Sequence, residues 1–297
     1  MSLGLYRRAR RAAYLLRRFS HPRAIAWECI RKCRPGRALI TKLNKDLRVR
    51  IYPHDVIGRD IYVHGLFEMA GCRFVPSFLE PGMVFVDVGA NLGQYTLWAA
   101  KCIGKTGQVH SFEPSGRMFG ELEFNVRLNG VSDICVLNRV ALSDTIGTAT
   151  LSRYGPGAEV YGSLGRQKRE SSRIIGWEEV TSTTLDAYVK AQSIDHIDLV
   201  KMDIEGAELL ALRGGREVLG RADAPVIVLE LFDVNTAGFA YQALETWDYL
   251  EGFGYRMFEF DRRGRITGLA ERPADFSVER NLVARKASFR PKGPDRC

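Results

Sequence analysis

The amino-acid sequence predicts an α/β protein: a mainly parallel, doubly wound sheet with an antiparallel C-terminal edge, preceded by a basic helical arm. Three observations predict it. Short runs rich in β-branched and aromatic residues occur at 84–88, 108–112, 134–138, 197–202 and 226–231. Segments of helical periodicity at 93–102 and 115–128 separate the first three runs, and each is long enough for a crossover between parallel strands. Further on, "GYRMFEFDRRGRITGL" reads as two antiparallel strands about Arg263 and Gly264, with "NLVARK" as another. Such alternation places helices on both faces of a parallel sheet.

Residues 1–50 stand apart from this pattern. The 297-residue chain has a formal charge of +8, but its first 50 residues hold fifteen Lys and Arg against Glu28 and Asp46, so the arm is +13 and the remainder −5. On a helical wheel Leu5, Ala9, Ala12, Ala13, Leu16 and Phe19 gather on one side, and Arg7, Arg10, Arg11, Arg17 and Arg18 on the other, until His21-Pro22 breaks the helix. Two readings stay open: attachment of residues 1–20 to an anionic membrane surface, or packing of the apolar stripe on the main domain. The body has no second basic stripe and no aromatic RNA-binding signature, so no nucleic-acid partner is expected.

Composition narrows the classes further. No apolar run approaches the roughly 20 residues that span a bilayer, and the N-terminus lacks the apolar core of a secretory signal. The six cysteines show no C-x-x-C pair, which fits a reducing compartment. A cytoplasmic protein is expected, with the arm allowing a peripheral position at the inner membrane face. Its organisation reads as an arm at 1–50, a lid or substrate-side segment at 51–80 containing "DVIGRDIYVHGLFE", a main domain at 81–288 and a tail at 289–297.

The first strand runs into "VFVDVGANLGQYT", residues 84–96. In an open parallel sheet ligands sit beyond the carboxyl ends of the strands, where the first strand feeds its helix. Gly89 and Gly93 let backbone approach a ligand more closely than any side chain with a Cβ permits. The spacing is G-x-x-x-G, not the dinucleotide G-x-G-x-x-G, and Asp87 stands at the strand end. An acid there suits a cationic ligand group, such as the sulfonium and ammonium of S-adenosylmethionine. Glu113, in "VHSFEP", ends the second strand about 24 residues after Gly89, where a carboxylate accepts hydrogen bonds from both ribose hydroxyls. A strand-end acid that caps a helix is the alternative.

"FVDVGANLGQYT", "SFEP", "NRVALSD" and above all "LVKMDIEGAELLALRGG" resemble the FkbM family of S-adenosylmethionine-dependent methyltransferases. The resemblance runs from about Asp60 to Arg285 and leaves residues 1–50 uncovered. It implies a Rossmann-like class I methyltransferase fold and O-methylation, typically of a sugar hydroxyl or another hydroxyl of a glycoconjugate or secondary metabolite. It also implies cofactor contacts at Asp87, Gly89, Ala90, Asn91, Gly93, Tyr95 and Glu113. Val140, Ala141 and Ser143, with Asp144, fall where methyltransferases flank adenine. Apolar Val140 stands where many members of that class place an acid.

"KMDIEGAE" carries the candidate chemistry. The apolar run before it is a buried strand, so Asp203 emerges at its end, Glu205 follows, and Gly206 permits a tight turn into a helix capped by Gly214 or Gly215. The two acids are candidates to orient the cofactor, act as base or hold a cation; N-capping of the helix is the alternative. No third ligand of suitable spacing follows them, so metal-independent transfer is expected. His64, in "YVHGLFE", is a third candidate base from the lid, with a structural histidine as the alternative. Ser163, Glu230 and Glu68 are weaker candidates for the acceptor side or the lid. A nicotinamide oxidoreductase and a non-catalytic cofactor-binding module remain the competing classes, and the acceptor is not named by any residue pattern.

Overall fold

Apolar runs too short to bury themselves must pair, and in the computed structural model they do so in three sheets. The structure describes residues 22–44, 46–67, 71–155, 162–165 and 174–286. The amphipathic stretch of the expected arm, residues 1–20, Glu68 of the expected lid and the tail expected at 289–297 lie outside them. The chain divides into two units at Phe67 and Glu68, inside the segment expected at 51–80.

In the first unit, helix Pro22–Cys33 is followed by strands β1 (Leu39–Lys42) and β2 (Arg48–Ile51), which pair antiparallel. Asn44 makes their turn by accepting the backbone N–H groups of Asp46 and Leu47 at 2.9 and 2.8 Å. Helix Val56–His64 ends on Gly65 in the left-handed region. Trp27, Val49, Ile51 and Ile61 form its core.

The second unit is built on eight strands: β3 (Val84–Val88), β4 (Gln108–Phe112), β5 (Cys135–Asn138), β9 (Leu199–Met202), β10 (Val226–Leu231), β11 (Tyr255–Phe260), β12 (Ile266–Leu269) and β13 (Arg280–Lys286). Their order is β12-β11-β13-β10-β9-β3-β4-β5. Pairs from β10 to β5 are parallel, and β13, β11 and β12 add an antiparallel edge. This is the expected α/β architecture. β9 and β10 are buried throughout, as strands covered by helices on both faces must be. Ile134 falls in a 3₁₀ turn, and Ile197 and Asp198 precede β9, so those two strands are shorter than expected. Among the described residues no helix is long and apolar enough to cross a membrane.

Chain direction creates the functional point. From β3 the chain moves outward through β4 and β5, then returns to β9 on the other side of β3. Two neighbouring strands, β3 and β9, therefore send their connections opposite ways and leave a crevice at their carboxyl ends. The return path carries a three-stranded sheet absent from the sequence reading: β6 (Ala141–Leu142), β7 (Gly147–Tyr154) and β8 (Ile174–Thr183), in the order β6-β8-β7.

Candidate active site

At that crevice lies a cleft open to solvent, beyond the carboxyl ends of the parallel strands. Its walls bring together Gly89, Asn91, Glu113, Val140, Ala141, Ser163, Asp203 and Glu205. Residues more than a hundred positions apart meet there because the loops after β3, β4, β5 and β9 open on one side, joined by Ser163 from the connection between β7 and β8.

The loop after β3 turns tightly, with Gly89, Asn91 and Gly93 all at positive φ. The backbone N–H groups of Gly89 and Ala90 donate to Phe112 O at 3.0 and 2.9 Å. A Cβ on Gly89 would overlap the Asp203 carbonyl oxygen, so only glycine lets the loops after β3 and β9 touch. Glu113 fastens the same turn: it accepts Asn91 N–H at 2.9 Å on one oxygen and Ser115 N–H at 2.9 Å on the other. Burial pushes its carboxyl up to about 7, against the pull of those two donors.

Asp87 lies deeper. It is fully buried and absent from the cleft wall, with Thr96 Oγ1 donating to Oδ2 at 2.7 Å. Burial raises its pKa; the Lys201 ammonium opposes that. Lys201 Nζ sits 3.8 Å from Asp87 Oδ1 and 3.6 Å from Asp203 Oδ2, and donates to Gly89 O at 3.1 Å. It also lies 4.9 Å above the Tyr95 ring. Asp87 thus reaches the cleft through Lys201, with Asp203 on the far side of that ammonium. Asp87 Oδ1 has no hydrogen-bond partner among the described residues.

Asp203 and Glu205 both line the cleft. Neither caps the following helix, Glu208–Arg213. Glu208 closes the turn before the helix, one of its oxygens accepting Ile204 N–H at 3.0 Å and Gly206 N–H at 3.3 Å. Burial pushes Glu208 up to about 7. Glu205 holds φ 56° and Gly206 φ 99°. Gly214 closes the helix, and Gly215 begins the next, Arg216–Gly220.

The other sequence candidates separate. Val140 and Ala141 line the cleft, whereas Ala90, Gly93 and Tyr95 are buried behind the turn. Ser143 is buried off the cleft, its hydroxyl donating to Asp144 at 3.2 Å. Glu230 is buried and accepts Asn235 Nδ2 at 3.0 Å. His64 is the exposed last residue of helix Val56–His64, in the first unit. Among the described residues no group of three His, Cys, Asp or Glu side chains is placed to hold a metal ion. Sequence reading passed over Lys201, whose signal was a lone cation inside the apolar strand "LVKM"; a buried lysine needs partners. It also passed over Tyr241, which donates to Gly206 O and carried no signal.

Comparison with known proteins places this geometry. The chain is 30% identical over 158 residues to the 2-O-methyltransferase NoeI of Sinorhizobium fredii (strain NBRC 101917 / NGR234), spanning 50% of this chain and 63% of that one. It is also 30% identical over 191 residues to the 31-O-demethyl-FK506 methyltransferase FkbM of Streptomyces tacrolimicus, spanning 54% and 69%. The crystal structure of a methyltransferase FkbM from Methylobacillus flagellatus KT aligns with a TM-score of 0.42 at 15% identity, covering 70% of this chain and 44% of that one, a likeness too slight to bear on function. Residues 87–257, more than half of the chain and the whole path from Asp87 past Glu205 and Tyr241, match the Methyltransferase FkbM domain, and the chain belongs to that family.

Proposed function

We propose that the protein transfers a methyl group from S-adenosylmethionine to a hydroxyl oxygen of an acceptor, with a sugar of a glycolipid, polysaccharide or secondary metabolite as the acceptor class. The observation that carries this reading is the convergence of Glu113, Asp203 and Glu205 on one cleft floored by Gly89. The residues present fit the cofactor. Acids suited to a cation and to a ribose diol line one cleft, and the spacing of the loop after β3 lacks the dinucleotide pattern. Two relatives named for O-methylation support a hydroxyl acceptor.

When bound, S-adenosylmethionine supplies a methyl on a sulfonium sulfur, which leaves as a neutral thioether. The chain's part is to hold, orient and take a proton. Glu113 receives the ribose hydroxyls, Asn91 and Gly89 give backbone at close range, and Val140 and Ala141 offer an apolar wall to the adenine. Asp203, backed by Lys201, faces positive charge. Glu205 takes the proton released from the acceptor hydroxyl as its oxygen gains the methyl. Alignment of the reacting groups supplies up to about 7–11 kcal/mol and a positioned base about 10²–10⁴-fold.

Titration calorimetry should give saturable binding of S-adenosylmethionine and none of NADH. A panel of methyl glycosides incubated with methyl-labelled cofactor should yield a labelled product whose rate falls about 10²–10⁴-fold in Glu205→Gln with cofactor affinity retained. Binding of NADH in place of the sulfonium cofactor would return the fold to the oxidoreductase class.

A further inference from the structure

Glu205 is held in a backbone conformation that a residue with a Cβ adopts at a cost. Its φ is 56°, and the next residue, Gly206, is at 99°. Such a conformation persists only where neighbours over-determine it, and here two hydroxyls from separate parts of the chain add to the grip of Glu208 on the Ile204 and Gly206 N–H groups. Ser163 Oγ donates to the Glu205 carbonyl oxygen at 2.7 Å. Tyr241 OH donates to the Gly206 carbonyl oxygen. Both donor side chains are buried, and the Tyr241 bond is buried as a whole.

Each hydroxyl is itself anchored. Ser163 is pinned to β7: its carbonyl accepts Ser152 N–H at 2.8 Å and Ser152 Oγ at 2.9 Å, and its own N–H lies 3.2 Å from Ser152 Oγ. Tyr241 follows the segment whose Asn235 carbonyl presses on Gly206 so closely that a Cβ there would overlap it. The two gripped carbonyls bracket the Cα of Gly206, so the turn is held just after Glu205, and the Ser163 bond fixes the peptide plane that leaves the Glu205 Cα. Ser163 and Glu205 line the cleft together.

We propose that Ser163 and Tyr241 are positioning residues that lock the Glu205–Gly206 turn, and thereby aim the Glu205 carboxylate at the position from which the methyl is transferred. The inference rests on the methyl-transfer reading and gives it a device that sequence position alone does not supply. The small sheet and the segment after β10 act on the reacting end of the cleft through this turn, without themselves supplying a charge.

The test reads binding and needs no acceptor. Sinefungin carries an amine where the cofactor carries its transferable methyl, whereas S-adenosylhomocysteine carries nothing there. The intact protein should prefer sinefungin, and Glu205→Gln should lower that preference about tenfold while leaving S-adenosylhomocysteine affinity unchanged. Ser163→Ala and Tyr241→Phe, alone and together, should lower it too, the pair by nearly as much as Glu205→Gln. Added to Glu205→Gln, the pair should change nothing further, because all three act through one carboxylate. A loss of cofactor affinity that is equal for both ligands, or a pair effect undiminished in the Glu205→Gln background, would overturn the positioning role while leaving the methyl-transfer reading intact. No binding of S-adenosylhomocysteine at all would sink both.

Discussion

Glu113 shows how one residue does two jobs. Its carboxylate closes the loop after β3 through Asn91 and Ser115, and it faces the cleft where a ribose is proposed to sit. Burial lifts its pKa to about 7 from 4.5, so below about 7 it holds a proton and offers a weaker acceptor to two hydroxyls. Ionisation favours binding; hence cofactor affinity should rise as pH climbs from about 6 to 8. Isothermal titration across that window should show the rise in the intact protein and a flat profile in Glu113→Gln, which is neutral throughout. Asp87 and Lys201 show the opposite relation between legibility and place. The acid was visible in sequence at a strand end, but its full burial puts it behind an ammonium that the sequence hid inside "LVKM". The charge that meets the cleft is that of Asp203, whose side chain is 25% exposed.

Strands were legible where both faces are buried, because such a strand must be apolar along its whole length. β3 and β10 begin and end where the sequence places them. The three-stranded sheet was not legible for the converse reason. β8 is exposed at alternate positions, including Ile175 and Trp177 on its outer side, and β6 is two residues long, too short to leave a period. Glu208 carried no signal in the sequence reading: Asp203 and Glu205 drew the attention there, with capping as their alternative, and it is Glu208 whose carboxylate closes the turn ahead of the helix. Contact between the loops after β3 and β9 was only half visible, since glycine in a turn announces close approach without naming what approaches. The structure names the Asp203 carbonyl. Gly89→Ala therefore sets a positive φ against a backbone collision, and should cost about 2–4 kcal/mol. Thermal unfolding should show a fall of roughly 5–10 °C, with cofactor binding weakened beyond what the lost stability explains.

Charge divides the whole molecule more sharply than fold does. The first 50 residues carry +13 and the rest −5, so the acids that shape the cleft belong to a part of the chain whose charge opposes that of the first 50 residues. If residues 1–20 dock on anionic lipid, their deletion should abolish co-sedimentation with phosphatidylglycerol vesicles and leave cofactor affinity unchanged, and raising salt from about 0.05 to 0.5 M should release the full chain. Equal sedimentation of full-length and shortened protein would leave the stripe of Leu5, Leu16 and Phe19 to pack elsewhere. Within the body, the parts that grip the Glu205 turn lie outside the parallel strands, in a loop next to β7 and in the segment after β10. If the proposed lock operates, any change to the loop next to β7 that removes the Ser163 hydroxyl from the Glu205 carbonyl should reach the reacting end of the cleft as well as the acceptor side.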